Sequence, residues 1–235
     1  MTQMKAPSKR DPKTIAAAVL VALIVLAGIV LAVVRTFGDN HNAVGPHPGG
    51  GGPTQQPAGS SSSCGLPDGD QSIPTSAPSA AWELSGKVAA PRNAAYGPGH
   101  FASAPRTCFA HNPTGAVFAA INYYADTTNP DVDVKQLVAA RIFTDANSDK
   151  ASGGAEEATP TYQVTGFRVE DATRDRVSVA VVVRSPEGPT AGDQAAITFT
   201  LGWQRGDWRL VVPPTGQPPT TAIATLSGYV AWSGA

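Results

Sequence analysis

The sequence contains few of the residues from which catalytic and metal sites are usually built. It has two cysteines and four histidines, and the histidines do not cluster at a spacing that would bind a metal. The motifs GxSxG and HExxH do not occur, so the sequence shows neither a hydrolase nucleophile nor a zinc-protease helix. The sequence therefore predicts no catalytic residue, no cofactor and no metal ligand.

Basic residues are also scarce outside the N-terminus. Residues 1–13 carry four basic side chains and one acidic one, whereas residues 64–235 carry 12 basic and 16 acidic side chains. A nucleic-acid surface needs a basic excess, so we expect no nucleic-acid partner for the C-terminal part. The basic N-terminus suits the anionic headgroups of a lipid bilayer.

One long run lacks charge completely. Residues Thr14–Val34 are mostly aliphatic, and at about 1.5 Å per residue a helix of this run measures roughly 31 Å, close to the thickness of a hydrocarbon core. The preceding bases predict a cytoplasmic tail (residues 1–13) and an exported C-terminal domain. A cleaved signal peptide is the alternative, but this run is longer than an ordinary signal core and ends at Val33, Val34 and Arg35 without a small-x-small site. We expect a single-pass cell-membrane protein.

Residues 35–63 are rich in Gly, Pro and Ser and have almost no large apolar side chain. Such a segment cannot bury enough surface to fold, so it is predicted to be a disordered linker with a reach of about 30 Å. The four glycines at 49–52 are not followed by Lys-Ser or Lys-Thr, so they do not form a phosphate-binding loop.

The only two cysteines, Cys64 and Cys108, lie on the exported side by this topology. Disulfides persist in exported compartments, and we predict that these two residues pair. A metal site or a nucleophilic thiol is the alternative, but the sequence supplies no CxxC spacing and no clustered histidine to support either.

The exported region, residues 64–235, has the length of one domain. Residues 64–110 are predicted to form an irregular strap in which Trp82 is a buried anchor. Asn112 and Pro113 resemble the cap and first position of a helix with the sequence PTGAVFAAINYYAD. A second helix is predicted after Asp131 or Asp133, with helical spacing of Val134, Leu137, Val138, Arg141 and Ile142. Residues 144–158 are predicted to be a loop with at most one helical turn.

The period then changes from 3.6 to 2, which indicates strands. Four strands are predicted around Tyr162–Val169, Val177–Val183, Ala195–Trp203 and Trp208–Val212, with a bulge or bend at Gly166. Short turns between them predict antiparallel pairing. Two helices followed by a meander indicate an α+β roll, with its core in residues 111–213 and residues 214–235 packing back on it.

The titratable residues have structural interpretations. Two histidines fall in the linker, and His100 and His111 are too far apart to form a helical metal pair, so His111 is interpreted as a residue at the start of the first helix rather than a general base. The acidic pairs are interpreted as solvated or capping groups: Glu156–Glu157, Glu170–Asp171 and Asp131/Asp133.

Three segments carry a resemblance to known proteins: CFAHNPTGAVFAAINYYA, TYQVTGFRVEDA and LSGYVAWSG. They resemble actinobacterial membrane proteins encoded with conjugative elements. The order of parts is also similar to the single-pass scaffold subunits of type IV secretion and conjugation channels. This resemblance implies a nuclear-transport-factor-like exported domain, protein partners in a membrane channel, and self-association into a homo-oligomer.

Three functional hypotheses follow. The first is a non-enzymatic assembly component of a conjugation or secretion apparatus. The second is an accessory protein of a lipid transporter in the cell envelope, similar to the mammalian-cell-entry-associated membrane proteins. The third is a pocketed enzyme or ligand sensor, which would require an open cavity between helix and sheet with a buried titratable side chain.

Overall fold

The structure is a computed structural model that describes residues 62–151, 162–186 and 190–234. The predicted transmembrane run and almost all of the predicted linker lie outside the described residues. Within the described ranges, none of the helices combines the length and apolar character needed to cross a bilayer.

Both predicted helices are present. Helix α1 covers Pro113–Thr127, and the side chain of Asn112 accepts a hydrogen bond from the Gly115 N–H at 2.7 Å. Helix α2 covers Val134–Arg141, and its cap is Asp133, which accepts from the Gln136 N–H. The described part of the predicted loop that follows, residues 144–151, contains one short 3₁₀ turn, Ser148–Lys150.

An antiparallel sheet forms the second layer, and the predicted α+β class is confirmed. The predicted meander corresponds to β3 (Gln163–Ala172), β4 (Arg176–Arg184), β5 (Gln194–Gln204) and β6 (Asp207–Leu210). The sheet is larger than the four strands expected, because the C-terminal segment adds β7 (Thr220–Ile223) on β5 and β8 (Val230–Ala231) on β3. In hydrogen-bonding order the main path is β6-β5-β4-β3-β8.

The C-terminal segment crosses one face of this sheet. Since β7 pairs with β5 and β8 pairs with β3, residues 224–229 must pass from one edge to the other. The bend predicted at Gly166 explains how they pack: a register shift occurs there, and a Cβ atom at this position would lie 2.7 Å from the Val230 carbonyl oxygen. A glycine is therefore required where the returning chain approaches the sheet most closely.

The strap differs from the irregular segment that was predicted. It contains a hairpin of β1 (Ala81–Ser85) and β2 (Val88–Arg92), and β2 packs against α1. Helix α1 is therefore enclosed between hairpin and sheet, and each residue from Pro113 to Asp126 is buried. Trp82 is half-buried rather than buried, and its ring packs edge-on against Trp232 at a centroid distance of 4.9 Å.

The space between α1 and the sheet is occupied by side chains. Phe118 and Tyr123 of α1 belong to the same hydrophobic core as Phe199 and Leu201 of β5, and none of the four is more than 4% exposed. The rings of Tyr123 and Phe199 pack edge to face at 5.8 Å. The space between α1 and the sheet is therefore part of the packed hydrophobic core.

Candidate functional site

The first described residues lie against the turn between β5 and β6. The Ser63 N–H donates to the Gly206 carbonyl oxygen at 2.7 Å. Arg205 and Gly206 both have left-handed φ values, 57° and 74°, as a two-residue type I′ turn requires. This end of the sheet is where the N-terminal part of the chain joins the domain. We call it the junction, and it comprises residues 62–68, 106–111, 173–175 and 203–207.

A disulfide fixes the junction covalently. Cys64 and Cys108 are bonded, as predicted, with their Cα atoms 6.0 Å apart. Gly99 lies directly on the bridge, and a Cβ atom there would come within 2.8 Å of the Cys64 Sγ atom. The disulfide therefore attaches the N-terminal end of the described domain to Cys108, a fully buried residue.

A buried carboxylate holds the segment that carries Cys108. Asp207, at the start of β6, is 4% exposed and accepts hydrogen bonds from the backbone N–H groups of Cys108 at 2.7 Å, Phe109 at 3.0 Å and Trp208 at 2.9 Å. Burial raises the pKa of Asp207, while Arg141 and the three N–H donors oppose that rise. Each carboxylate oxygen of Asp207 thus accepts a backbone N–H from residues 108–109.

A second buried carboxylate, Asp126, binds the same segment two residues before Cys108. Asp126, near the end of α1, accepts from the Arg106 N–H at 2.8 Å and from the Ser85 hydroxyl at 3.1 Å. Burial raises its pKa, and Arg141 is the main opposing charge. Through Arg106 and Ser85, Asp126 joins α1 to the junction segment and to β1.

Arg141 interacts electrostatically with both carboxylates. It is fully buried at the end of α2, and its guanidinium donates to the carbonyl oxygens of Arg106 and Ala119 and lies 4.7 Å above the Phe109 ring. Burial lowers its pKa, while Asp207 and Asp126 oppose that change. Because these buried charges of opposite sign compensate one another electrostatically, removal of one member would leave an uncompensated buried charge.

His111 belongs to the aromatic side of the junction. Its ring is fully buried and stacks on Trp203 at 3.9 Å, and its Nε2 atom lies 3.0 Å from an oxygen of Asp175. Its Nδ1 atom lies 4.0 Å from an oxygen of Asp68, which in turn accepts from Arg174. The predicted position of His111 at the start of α1 is confirmed. Its buried side chain also contacts Trp203 and Asp175, so it connects the strap to two turns of the sheet.

The other predicted polar residues do not assemble with His111. The His100 Nδ1 atom lies 3.4 Å from the Thr107 hydroxyl oxygen. Glu170 pairs with Arg168 at 2.8 Å, and Asp131 and Asp171 are exposed, whereas Glu156–Glu157 lie outside the described residues. Across the ranges that the structure describes, no three His, Cys, Asp or Glu side chains meet in a group able to hold a metal.

Sequence reasoning missed the buried charges. The sequence placed Arg141 on the apolar face of α2, four residues after Leu137, and this position was the available signal of a buried arginine. Asp126 and Asp207 gave no comparable signal, because one ends a helix and the other follows a turn. Their partners lie 20 and 99 residues away in sequence.

Comparison with known proteins gives one match. A family model described as a domain of unknown function, DUF8175, matches residues 44–231. No curated protein and no solved structure matches the chain. Inference about function therefore depends on the residues of this chain.

Proposed function

The chain belongs to the DUF8175 family, a domain of unknown function, and from its own residues we propose that it is a non-enzymatic, membrane-anchored assembly component of a conjugation or type IV secretion-like apparatus. In this proposal residues 14–34 anchor the chain, residues 35–63 link the anchor to the domain, and the exported domain contacts other channel proteins. We extend the proposal to a nuclear-transport-factor-like fold, because both helices precede the meander and α1 packs against the sheet.

The observation that carries this proposal is the junction. A force applied to the N-terminal linker would act on Ser62–Cys64, and the disulfide would transmit it directly to Cys108. Asp207 then connects Cys108 to β6, and Arg141 connects the nearby Arg106 to α2, so residues 65–105 lie outside this path. A domain that bears load from an anchor benefits from such a connection, whereas a freely diffusing enzyme has no need of one.

Two further observations support the proposal. The helix-to-sheet interior is occupied by Phe118, Tyr123, Phe199 and Leu201, which disfavours a pocketed enzyme or sensor. A disulfide is typical of domains that fold in an oxidising compartment, which supports an exported location.

The test is a clean deletion in the native host, followed by measurement of conjugative transfer. We expect transfer to be lost, to return with the full chain, and to stay lost with a version that begins at residue 62 behind a cleaved export signal. Normal transfer in the deletion strain would refute the conjugation role.

The lipid-transporter alternative is distinguished by crosslinking in native membranes. Channel subunits recovered with the full chain would support the proposal. Recovery of a lipid transporter together with normal conjugative transfer in the deletion strain would replace it.

A further inference from the structure

We propose that the open edge of β7 is a self-association surface on which a second copy of this chain adds its own β7 as an antiparallel strand. Strand addition to an exposed edge is a common recognition mode, since an edge presents unpaired N–H and C=O groups. The proposal extends the assembly function, but it does not depend on which apparatus the protein serves.

The register of β7 on β5 determines which backbone groups face outward. Ala196 pairs with Thr221, and the Thr198 N–H donates to the Pro219 carbonyl oxygen at 2.9 Å. Residues 219, 221 and 223 therefore face β5, and by alternation Thr220 and Ala222 direct their N–H and C=O groups away from the sheet. No hydrogen bond to these four outward groups is found among the described residues.

The other edges are covered or charged. The edge of β6 is occupied by the end of α2, where Ile142 forms a parallel bridge with Leu210 and the Phe143 N–H donates to the Leu210 carbonyl oxygen. On the opposite side, β8 covers the middle of β3, and the rest of that edge carries charged residues: Arg168, Glu170 and Asp171. Charge on an edge strand disfavours strand addition.

Among the described residues, no comparable cover or charge protects the β7 edge. Thr220, Thr221 and Ala222 are exposed, and no charged side chain occurs anywhere from Leu210 to Ala235. Two identical strands can therefore meet antiparallel without placing like charges opposite each other. The prolines at 218 and 219 limit the pairing to a short segment, because proline lacks the N–H that a longer ladder needs.

A two-fold axis at Thr221 satisfies the outward groups. Thr220 of each copy would face Ala222 of the other, and the two pairs would exchange four backbone hydrogen bonds. The two Thr221 residues would form a non-hydrogen-bonded pair, with Cα atoms about 4.5 Å apart. So small an interface gives weak association in solution, and anchoring in one bilayer, if the proposed function is right, strengthens it by raising the effective concentration.

This geometry gives a specific crosslinking test. Full-length Thr221→Cys protein in native membranes is oxidised and analysed on non-reducing gels, because about 4.5 Å between Cα atoms lies within the range of a disulfide. We expect a covalent dimer at a several-fold higher yield than for Thr225→Cys, an exposed control two residues beyond β7.

A proline variant tests the hydrogen bonds. Ala222→Pro removes only an outward N–H, so we expect it to keep the melting temperature of the parent and to reduce the Thr221→Cys dimer several-fold. Thr221→Pro removes an N–H that faces β5 and serves as the structural control, with an expected loss of melting temperature.

Equal yields at positions 221 and 225 would refute the pairing, and so would a dimer that the Ala222→Pro change leaves intact. A Thr221→Cys crosslink only to a different protein would assign the edge to another partner. Transfer is measured separately, so self-association and the proposed function can fail independently.

Discussion

The backbone N–H of Cys108 donates to the carboxylate of Asp207 at 2.7 Å, although the two residues are 99 positions apart in sequence. This bond joins the disulfide to the first residue of β6. The disulfide attaches Cys64 to Cys108, and Asp207 attaches the Cys108 segment to the sheet. The junction therefore combines a covalent link with a buried hydrogen bond to a carboxylate, and each part can be tested alone.

Asp207→Asn should destabilise the domain. The change replaces one acceptor oxygen by an NH₂ group that faces an N–H donor, and it removes a charge opposite the buried Arg141. We expect the free energy of unfolding to fall by about 3 kcal/mol. Urea denaturation followed by circular dichroism measures this change. Asp171→Asn, on an exposed residue of β3, is the matched control and should stay within about 0.5 kcal/mol of the parent.

Arg141→Met should cost more than an ordinary surface change, because it leaves Asp126 and Asp207 buried without their cation. We expect a loss of about 3–5 kcal/mol in the free energy of unfolding. Lys135→Met on the exposed side of the same helix is the control, and its effect should be small. Equal effects of the two substitutions would contradict a structural role for the buried charges.

The strands and helices show how far sequence could predict this fold. Alternating valines in Val177–Val183 predicted β4, which covers Arg176–Arg184, and the Asn112 cap predicted the start of α1. These signals are local, since a strand or a helix start is encoded within a few residues. The hairpin β1–β2 was missed because its second strand is VAAPR, in which alanine and proline have low strand propensity. Packing against α1 stabilises it instead.

The junction could be predicted only in its covalent part. Two cysteines allow one intrachain pairing, so the disulfide followed from the sequence. The contact of Arg141 with the carbonyl oxygen of Ala119 depends on how α2 lies against α1, and residue spacing does not encode that arrangement. Long-range burial of charge is a property of tertiary packing, so it appears only in the structure.

Removal of the disulfide should weaken the junction without abolishing the fold. A Cys64→Ser/Cys108→Ser double variant loses a covalent link across a sequence separation of 44, which corresponds to about 4 kcal/mol on the chain-entropy estimate. Because Asp207 still binds the Cys108 backbone, we expect the core to persist and the strap to become sensitive to protease near residues 62–72. Limited proteolysis with mass spectrometry detects this change. Treatment of the parent with a reducing agent should produce the same cleavage. A double variant that is cleaved no faster than the oxidised parent would show that the disulfide does not protect the strap.

Trp232→Ala should weaken the packing between the hairpin, α1 and the sheet. The Trp232 ring lies within 4.9–5.5 Å of the rings of Trp82 in the hairpin, Phe118 in α1 and Phe167 in β3. Removal of this shared ring leaves a cavity among all three, so we expect the free energy of unfolding to fall by about 3–5 kcal/mol, measured by urea denaturation. Trp232→Phe keeps a ring in the same place and should lose less than half as much. A loss of similar size in both variants would mean that the indole, rather than the volume of the ring, holds the layers together.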